Sequence, residues 1–395
     1  MHKNKQAVAA LAVALAAHLA APLTAPAQAS TYQLEPSPPA AGAAQEEALA
    51  QFTPRPTDTD REIDYSIWGY ALKSVVVGMG PSVRKGAPRP REYTGTRLNR
   101  GHKSRLRLEG SRIAYTFFTD EVTASFTEYR QDLERVGTEL GIASLSRNEQ
   151  LAFWLNLHNV AIIEQIARHY PEILPSRIQI DGEFLDEARF IEVAGVKLSP
   201  KDIRTRIVYP NWSDPRVVYG FFRGDIGGPM IQPEEFNARN LDFLLGDNAA
   251  EFVNSLRGVE RRGKTLLVSK IYEEAAPFYY ADLQNDLPLH LARFADDKVA
   301  THLSKASKVK YTRYEGDIAD LARAQRQPFV SNLEVWSPMG RASSVSSRVP
   351  LNIVRYMEER RQKLDYLERR GVPIWTVRVV PIDLPGEPSS VVEID

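Results

Sequence analysis

The chain has 395 residues, 43% hydrophobic and 25% charged, and its 50 basic residues cancel its 50 acidic ones. That composition is ordinary for a folded globular protein and excludes wholesale disorder, while zero net charge gives no footing for a nucleic-acid partner. Cysteine is absent, which excludes disulfides, a thiol nucleophile, zinc–thiolate sites and iron–sulfur clusters.

At the start, His2, Lys3 and Lys5 precede an apolar run from Ala7 to about Leu23, and Ala27, Gln28 and Ala29 form an A-x-A pattern before Ser30. The run is short for a bilayer span, so residues 1–29 read as a signal peptide that is removed, with a periplasmic or secreted product. Without Lys3 and Lys5, acids exceed bases by two. No later stretch approaches the roughly 20 apolar residues of a transmembrane helix, so none is expected after signal removal. Residues 30–61 carry Pro36, Pro38, Pro39, Pro54 and Pro56 and read as a disordered linker.

The apolar block from Ile67 to Met79 opens a domain expected over 62–325. Between positions 84 and 112, Arg84, Lys85, Arg89, Arg91, Arg97, Arg100, Lys103, Arg105, Arg107 and Arg112 face only Glu92 and Glu109. Such a stretch can grip an anionic surface, such as lipid headgroups or a polyanion, or lie as a solvated loop. It lacks amphipathic period and aromatic interleaving, which favours the loop.

Residues 111–145 read as a strand or turn followed by a helix, with Leu133, Val136 and Leu140 at helical spacing. Ser146 and Glu149 then form a capping-box pattern, in which Glu149 reaches back to Ser146, opening a helix that runs to about Tyr170 and stops before Pro171. Residues 186–198 alternate as strands, Ser199 with Asp202 starts another helix, and 214–222 reads as a buried strand leading into a glycine-rich turn. The segment 326–395 is expected as a C-terminal extension packed on the main domain, joined by a linker-like Ser-rich stretch at 343–347. It holds an amphipathic helix marked by Leu351, Val354, Met357, Leu364 and Leu367, closed near Gly371, and a strand from Ile374 to Val380. The predicted fold class is therefore α+β: a mixed helical domain with a small sheet, plus a C-terminal helix–strand extension.

Within the helix after Ser146, Asn156 and Asn159 lie three positions apart on one side. An unpaired buried amide costs about 1–3 kcal/mol, so both need fixed partners; loop backbone is the natural one, and direct ligand contact is the alternative. His158 sits among Leu151, Leu155 and Ile162 and reads as a satisfied core residue rather than a base.

Several segments resemble the domain of unknown function 547 (DUF547) family. Gln150–Asn159, QLAFWLNLHN, is similar to its A-F-W-x-N-x-Y-N helix, which ends near a Y-P pair like Tyr170 and Pro171. Leu198–Ile203, LSPKDI, resembles its S-x-x-D-I segment, Asp214, Pro215 and Arg216 its D-P-R, and Ser269–Leu283 its S-x-I-F…W-Y-x-x-D-F element. The likeness covers roughly residues 110–290 and implies a fold, not a reaction. The departures are informative. Where the family places Glu-His, this chain has Arg204 and Thr205; the histidine of D-P-R-x-H is Val218; and its C-A-S-x-S-C-P loop corresponds to Arg223–Pro229. Any thiolate–imidazole chemistry of relatives cannot run here.

The remaining loop offers ligand-binding candidates. Arg223 supplies a planar donor fork, Asp225 a carboxylate, and Gly227 and Gly228 a close backbone approach, suited to a carboxylate, phosphate or sugar. An internal contact that stabilises a turn is the competing reading. Asn156, Asn159, Tyr279 and Asp282 complete the candidate set. No metal site is expected, because His102, His158, His169, His290 and His302 show no ligand spacing, and no G-x-S-x-G or cofactor motif is present. Three functions follow. The favoured one is non-catalytic binding of an unknown small molecule or cell-envelope component. A thiol-independent envelope hydrolase or transferase using Asp225, Asp282 and Tyr279 or Tyr280 is the alternative, and a structural partner held through the C-terminal helix is the third.

Overall fold

The structure, a computed structural model, describes residues 46–57, 59–89, 101–326, 331–336, 342–347, 349 and 351–372. The leader and the strand expected at 374–380 lie outside the described residues. In chain order the main elements are α1 (Ser66–Val75), β1 (Val76–Gly78), β2 (Ser111–Ile113), α2 (Asp120–Leu140), α3 (Arg147–Arg168), β3 (Gln179–Ile180), β4 (Glu183–Phe184), β5 (Ile191–Val193) and β6 (Val196–Leu198). A helical run from Pro200 to Asn211 follows, and then α4 (Leu241–Val253), β7 (Val259–Arg262), β8 (Thr265–Val268), α5 (Ile271–Tyr279), α6 (Leu283–Ala292) and α7 (Asp297–Ser304). β9 (Lys308–Tyr311), β10 (Ser331–Trp336), β11 (Ala342–Ser347) and α8 (Leu351–Glu368) complete the set. The architecture is α+β, with sheets of two or three strands beside the helices.

α3 is the axis of the core. Every residue from Glu149 to Ile166 is buried, so the helix is enclosed on all sides rather than laid on a surface. Apolar side chains such as Phe153, Trp154 and Leu157 contribute roughly 1.5–3 kcal/mol each on burial. α2 crosses it at Gly137, where an added Cβ would lie 2.5 Å from the Phe153 ring, so the close approach of the two helices depends on that glycine. The acidic Glu164 in α3 is buried because Arg130 of α2 donates to it at 2.5 Å and the Thr127 hydroxyl at 2.8 Å.

Only half of the capping box at Ser146 forms. The Ser146 hydroxyl accepts from Glu149 N, but the Glu149 carboxylate turns away to accept from Ile63 N at 3.0 Å and Ala238 N at 3.3 Å. Ser199 and Asp202 make both bonds of theirs. Pro215–Gly220 is a buried 3-10 helix, not the expected strand: Asp214 caps it by accepting from Arg216 N, and Pro215 fixes its first turn. A short, fully buried apolar run does not separate the two conformations by periodicity. The Ser-rich stretch is strand β11, paired antiparallel with β10. The chain before residue 62, read as a linker, places Leu49 and Phe52 in the core, with the Phe52 ring 5.1 Å from Trp154.

Three arginines of the basic stretch, Arg84, Arg107 and Arg112, point inward, while Arg105 is exposed and pairs with Glu260. Arg84 donates to the carbonyls of Asn254 and Val259, and Arg112, 1% exposed, donates to those of Glu109, Ser111 and Arg107. Arg107 pairs with Glu359 of α8 at 2.8 Å. Lys85, Arg89 and Lys103 are exposed, and Arg91, Arg97 and Arg100 lie outside the described residues. The buried face of α8 keeps the expected Leu367, with Met357 and Leu364 half-buried, but departs from the expected one at Val354. Ile353, Tyr356, Lys363 and Leu367 are buried while Val354 is 39% exposed, and Lys363 donates to the carbonyls of Leu108 and Gly80 and so enters the core as a pin.

Candidate functional site

The segment Arg223–Pro229 is covered by a strap, residues 314–321, that bonds to three different parts of the chain. Gly227 N donates to Glu315 O at 2.8 Å, Ile226 N to Asp317 O at 2.8 Å, and Ala319 N to Gly224 O at 2.9 Å. On its other sides the strap joins Ile113 of β2 through both backbone groups and Ile173 through Ile318 N. The glycines serve this approach. A Cβ at Gly227 would lie 2.8 Å from Glu315 O, and one at Gly228 would lie 3.0 Å from the Tyr314 hydroxyl and 3.1 Å from Arg223 Cβ.

Arg223 is committed to a half-buried carboxylate. It donates to Glu274 at 2.6 and 3.3 Å, and Arg204 donates to the same carboxylate at 2.8 Å on both oxygens. Arg204 is fully buried and makes a second fork to Asp186, again at 2.8 Å twice. Two guanidiniums therefore face two carboxylates in a charge-balanced cluster. The arginines hold Glu274 far below the usual carboxylate range against the opposing cost of its burial, and hold Asp186 below its own. Positions 204 and 223, two of the departures from the family pattern, are thus the two cationic ends of one Glu274 bridge.

His158 closes the inner end of the cluster. Its Nε2 accepts from Arg204 at 3.1 Å and its Nδ1 donates to Asn159 Oδ1 at 3.1 Å, which fixes a neutral ring. Burial first, and then the positive charge of Arg204 and Arg223, push its pKa well below 6.5. Its lone pair is already used, so it has no capacity as a base. Asn159 also accepts from Phe222 N and donates to Gly220 O, and Asn156 pairs in the same two-sided way with Phe236. Both amides are clamps on backbone.

Asp225 accepts from the Tyr314 hydroxyl at 2.7 Å and Gly228 N at 2.9 Å, and burial pushes its pKa up to about 7 despite those bonds. Tyr279 donates to Trp212 O at 2.9 Å, which holds the turn after the helical run. Asp282 is exposed and caps α6 by accepting from Gln284 N. Tyr280 packs its ring among Tyr272, Tyr279 and His290. The structure therefore joins Arg223, Asp225, Gly227, Gly228 and Asn159 in one neighbourhood, and engages Asn156, Tyr279 and Asp282 in separate local roles. Glu274, Asp186 and Tyr314 went unnoticed in the sequence; a glutamate in the apolar run IYEEAAPFYY was the available signal for the first.

Away from this loop, one cavity of about 500 Å³ lies between Phe52, Arg55, Ile142, Ser144 and Ala194, and another of about 330 Å³ lies between 62–66, Glu149 and 235–239. Among the described residues no group of three or more His, Asp or Glu side chains is placed to hold a metal ion, and no helix is long and apolar enough to cross a membrane.

Residues 142–253, rather more than a quarter of the chain, match the family described as "Protein of unknown function, DUF547", in agreement with the resemblance read from the motifs. That segment holds α3, the helical run, the 3-10 turn, the Arg223–Pro229 loop and α4. Comparison with curated proteins and with solved structures finds no match.

Proposed function

We propose that this is an exported, non-catalytic binding protein that uses a DUF547-like scaffold to recognise a small molecule or cell-envelope component. The observation that carries the reading is the Glu274 bridge: Arg204 and Arg223 are both spent on it, and His158 is locked neutral behind Arg204. A nucleophile or general base needs a free lone pair at an accessible position. Here the Arg223–Pro229 loop is roofed by its own chain, with both Arg223 Nη groups given to Glu274 and the Asp225 carboxylate to Tyr314 and Gly228, which favours a structural loop over a reaction centre or ligand clamp. The alternative, a thiol-independent hydrolase or transferase, would need Asp225, Asp282 and Tyr279 or Tyr280 to converge, and the partners of these groups draw them to different elements.

Export rests on the basic start, the apolar run and the A-x-A pattern before Ser30. Two measurements test the proposal. Protein recovered from the periplasm or medium should begin at Ser30 by mass spectrometry, whereas a cytoplasmic chain retaining residues 1–29 would contradict export. Purified protein should show no turnover of peptide, ester or glycoside probes above the buffer rate. Turnover that disappears in Asp225→Asn, with the fold intact, would overturn the non-catalytic reading.

A further inference from the structure

The cavity of about 330 Å³ is walled by Glu62, Asp64, Tyr65, Glu149, Glu235 and Arg239, four carboxylates against one guanidinium. Two buried carboxylates of the molecule, Glu164 and Asp202, meet arginine: Glu164 pairs with Arg130, and Asp202 with Arg189 and Arg206. Glu149, 1% exposed, does not. Among the described residues its bonds come from the backbone N–H groups of Ile63 and Ala238, and no Lys, Arg or His lies within ion-pair reach. Arg239 is no substitute, because it lies on the rim with its side chain 80% exposed and both its contacts go to Glu62.

Two further groups in the same wall lack partners. Tyr65 is 2% exposed, and its hydroxyl makes no hydrogen bond although Glu149 is close enough for each to perturb the other. One carboxylate oxygen of Glu235 is buried and unpartnered, resting over Gly69, where a Cβ would come within 1.9 Å of it. A buried carboxylate without a counter-cation and an unpartnered carboxylate oxygen each cost free energy that a cationic donor would recover. The arrangement is also unsuited to a metal, since no three ligating groups converge there.

We propose that this cavity is a binding site for an organic cation, an ammonium or guanidinium group on a short aliphatic stem. The cation's N–H groups would donate to Glu235 and Tyr65 beside Glu149, and its stem would lie along Ile63 and Ala238. At about 330 Å³ the volume is at the small end of ligand pockets, which suits a single side chain or a short amine. Burial holds the Glu149 carboxyl above its usual range against the pull of its two backbone donors, so a bound cation would bring it down. The inference rests on the non-catalytic binding reading and supplies its ligand class.

The test is titration of the purified full-length protein with butylammonium and with butylguanidinium, with butyrate and butanol as controls, by calorimetry and by the amide NMR shifts of Ile63 and Ala238. The expected result is saturable binding of a cation that shifts both amides and weakens at least tenfold in Glu235→Gln and in Tyr65→Phe. Glu149→Gln would disturb two loops and is not needed. Cation binding no stronger than that of butyrate, or binding unchanged in Glu235→Gln, would overturn the assignment. Either outcome without enzymatic turnover leaves the non-catalytic reading standing, whereas turnover on a peptide, ester or glycoside would remove that reading whatever the titration gives.

Discussion

Asp225 and Asp320 are both drawn up to about 7 by burial, and both hold the strap. Asp320 lies in the strap itself and accepts from the Tyr170 hydroxyl and Ala324 N, while Asp225 accepts from Tyr314 at the strap's start. A carboxyl whose folded value exceeds its unfolded value keeps its proton in the native state and loses it in the unfolded state between about 4 and 7. Stability contributed this way is full below about 4, declines as pH rises to about 7, and is gone above it. Desolvation, with Asp186 adding to it, outweighs the Tyr314 and Gly228 hydrogen bonds and the Arg223 charge, which pull the other way. A shift of about three units corresponds to roughly 4 kcal/mol at most. Asp225→Asn keeps an acceptor for Tyr314 and Gly228 N and removes the charge. It should stabilise the protein at pH 8 by about 2–4 kcal/mol in urea unfolding and leave stability at pH 4 nearly unchanged; an equal effect at both pH values would refute the assignment. Glu274 and Asp186 act with the opposite sign, since their depressed values give stability that is lost as pH falls below the ordinary carboxylate range.

At the scale of elements, the strap is what makes the loop a closed structure. A Cβ at Gly227 would collide with the backbone of Glu315 at 2.8 and 2.9 Å, and backbone on both sides leaves little to move. Gly227→Ala should therefore cost about 1–3 kcal/mol and raise amide hydrogen exchange at Ile226, Gly227, Ile318 and Ala319; a variant with parental exchange at those amides would show that the strap does not depend on the close approach. The strap was invisible in the sequence because its contacts join positions far apart along the chain, and no local pattern encodes them. α3 was legible because a cap, a long apolar run and the following proline agree on its limits. The asparagine pair was legible for a related reason, since two amides inside that run demand partners. The 3-10 turn at Pro215–Gly220 and the pin at Lys363 were not, because a short apolar run is conformationally ambiguous and a lone lysine reads as surface until its carbonyl partners are known.

At the scale of the molecule, the Arg204–Glu274–Arg223 cluster ties together parts of the chain that are distant in sequence. Asp186 precedes β5, Arg204 lies in the helical run, Arg223 in the loop, Glu274 in α5 and His158 in the central helix. A bridge of this kind is held by geometry, and its removal leaves Arg223 without a carboxylate beside an Arg204 that keeps only Asp186. On the proposed reading this cluster is structural, and recognition lies at the cavity beside Glu149. Urea unfolding of Glu274→Gln compared with the triple variant Arg204→Met, Arg223→Met, Glu274→Met tests that most directly. The account predicts a loss of about 3–5 kcal/mol in the single variant and recovery of most of it in the triple one, with one cooperative transition in each. A Glu274→Gln protein as stable as the parent would contradict it, because Arg223 would then be free to serve as the ligand fork that the closed loop denies.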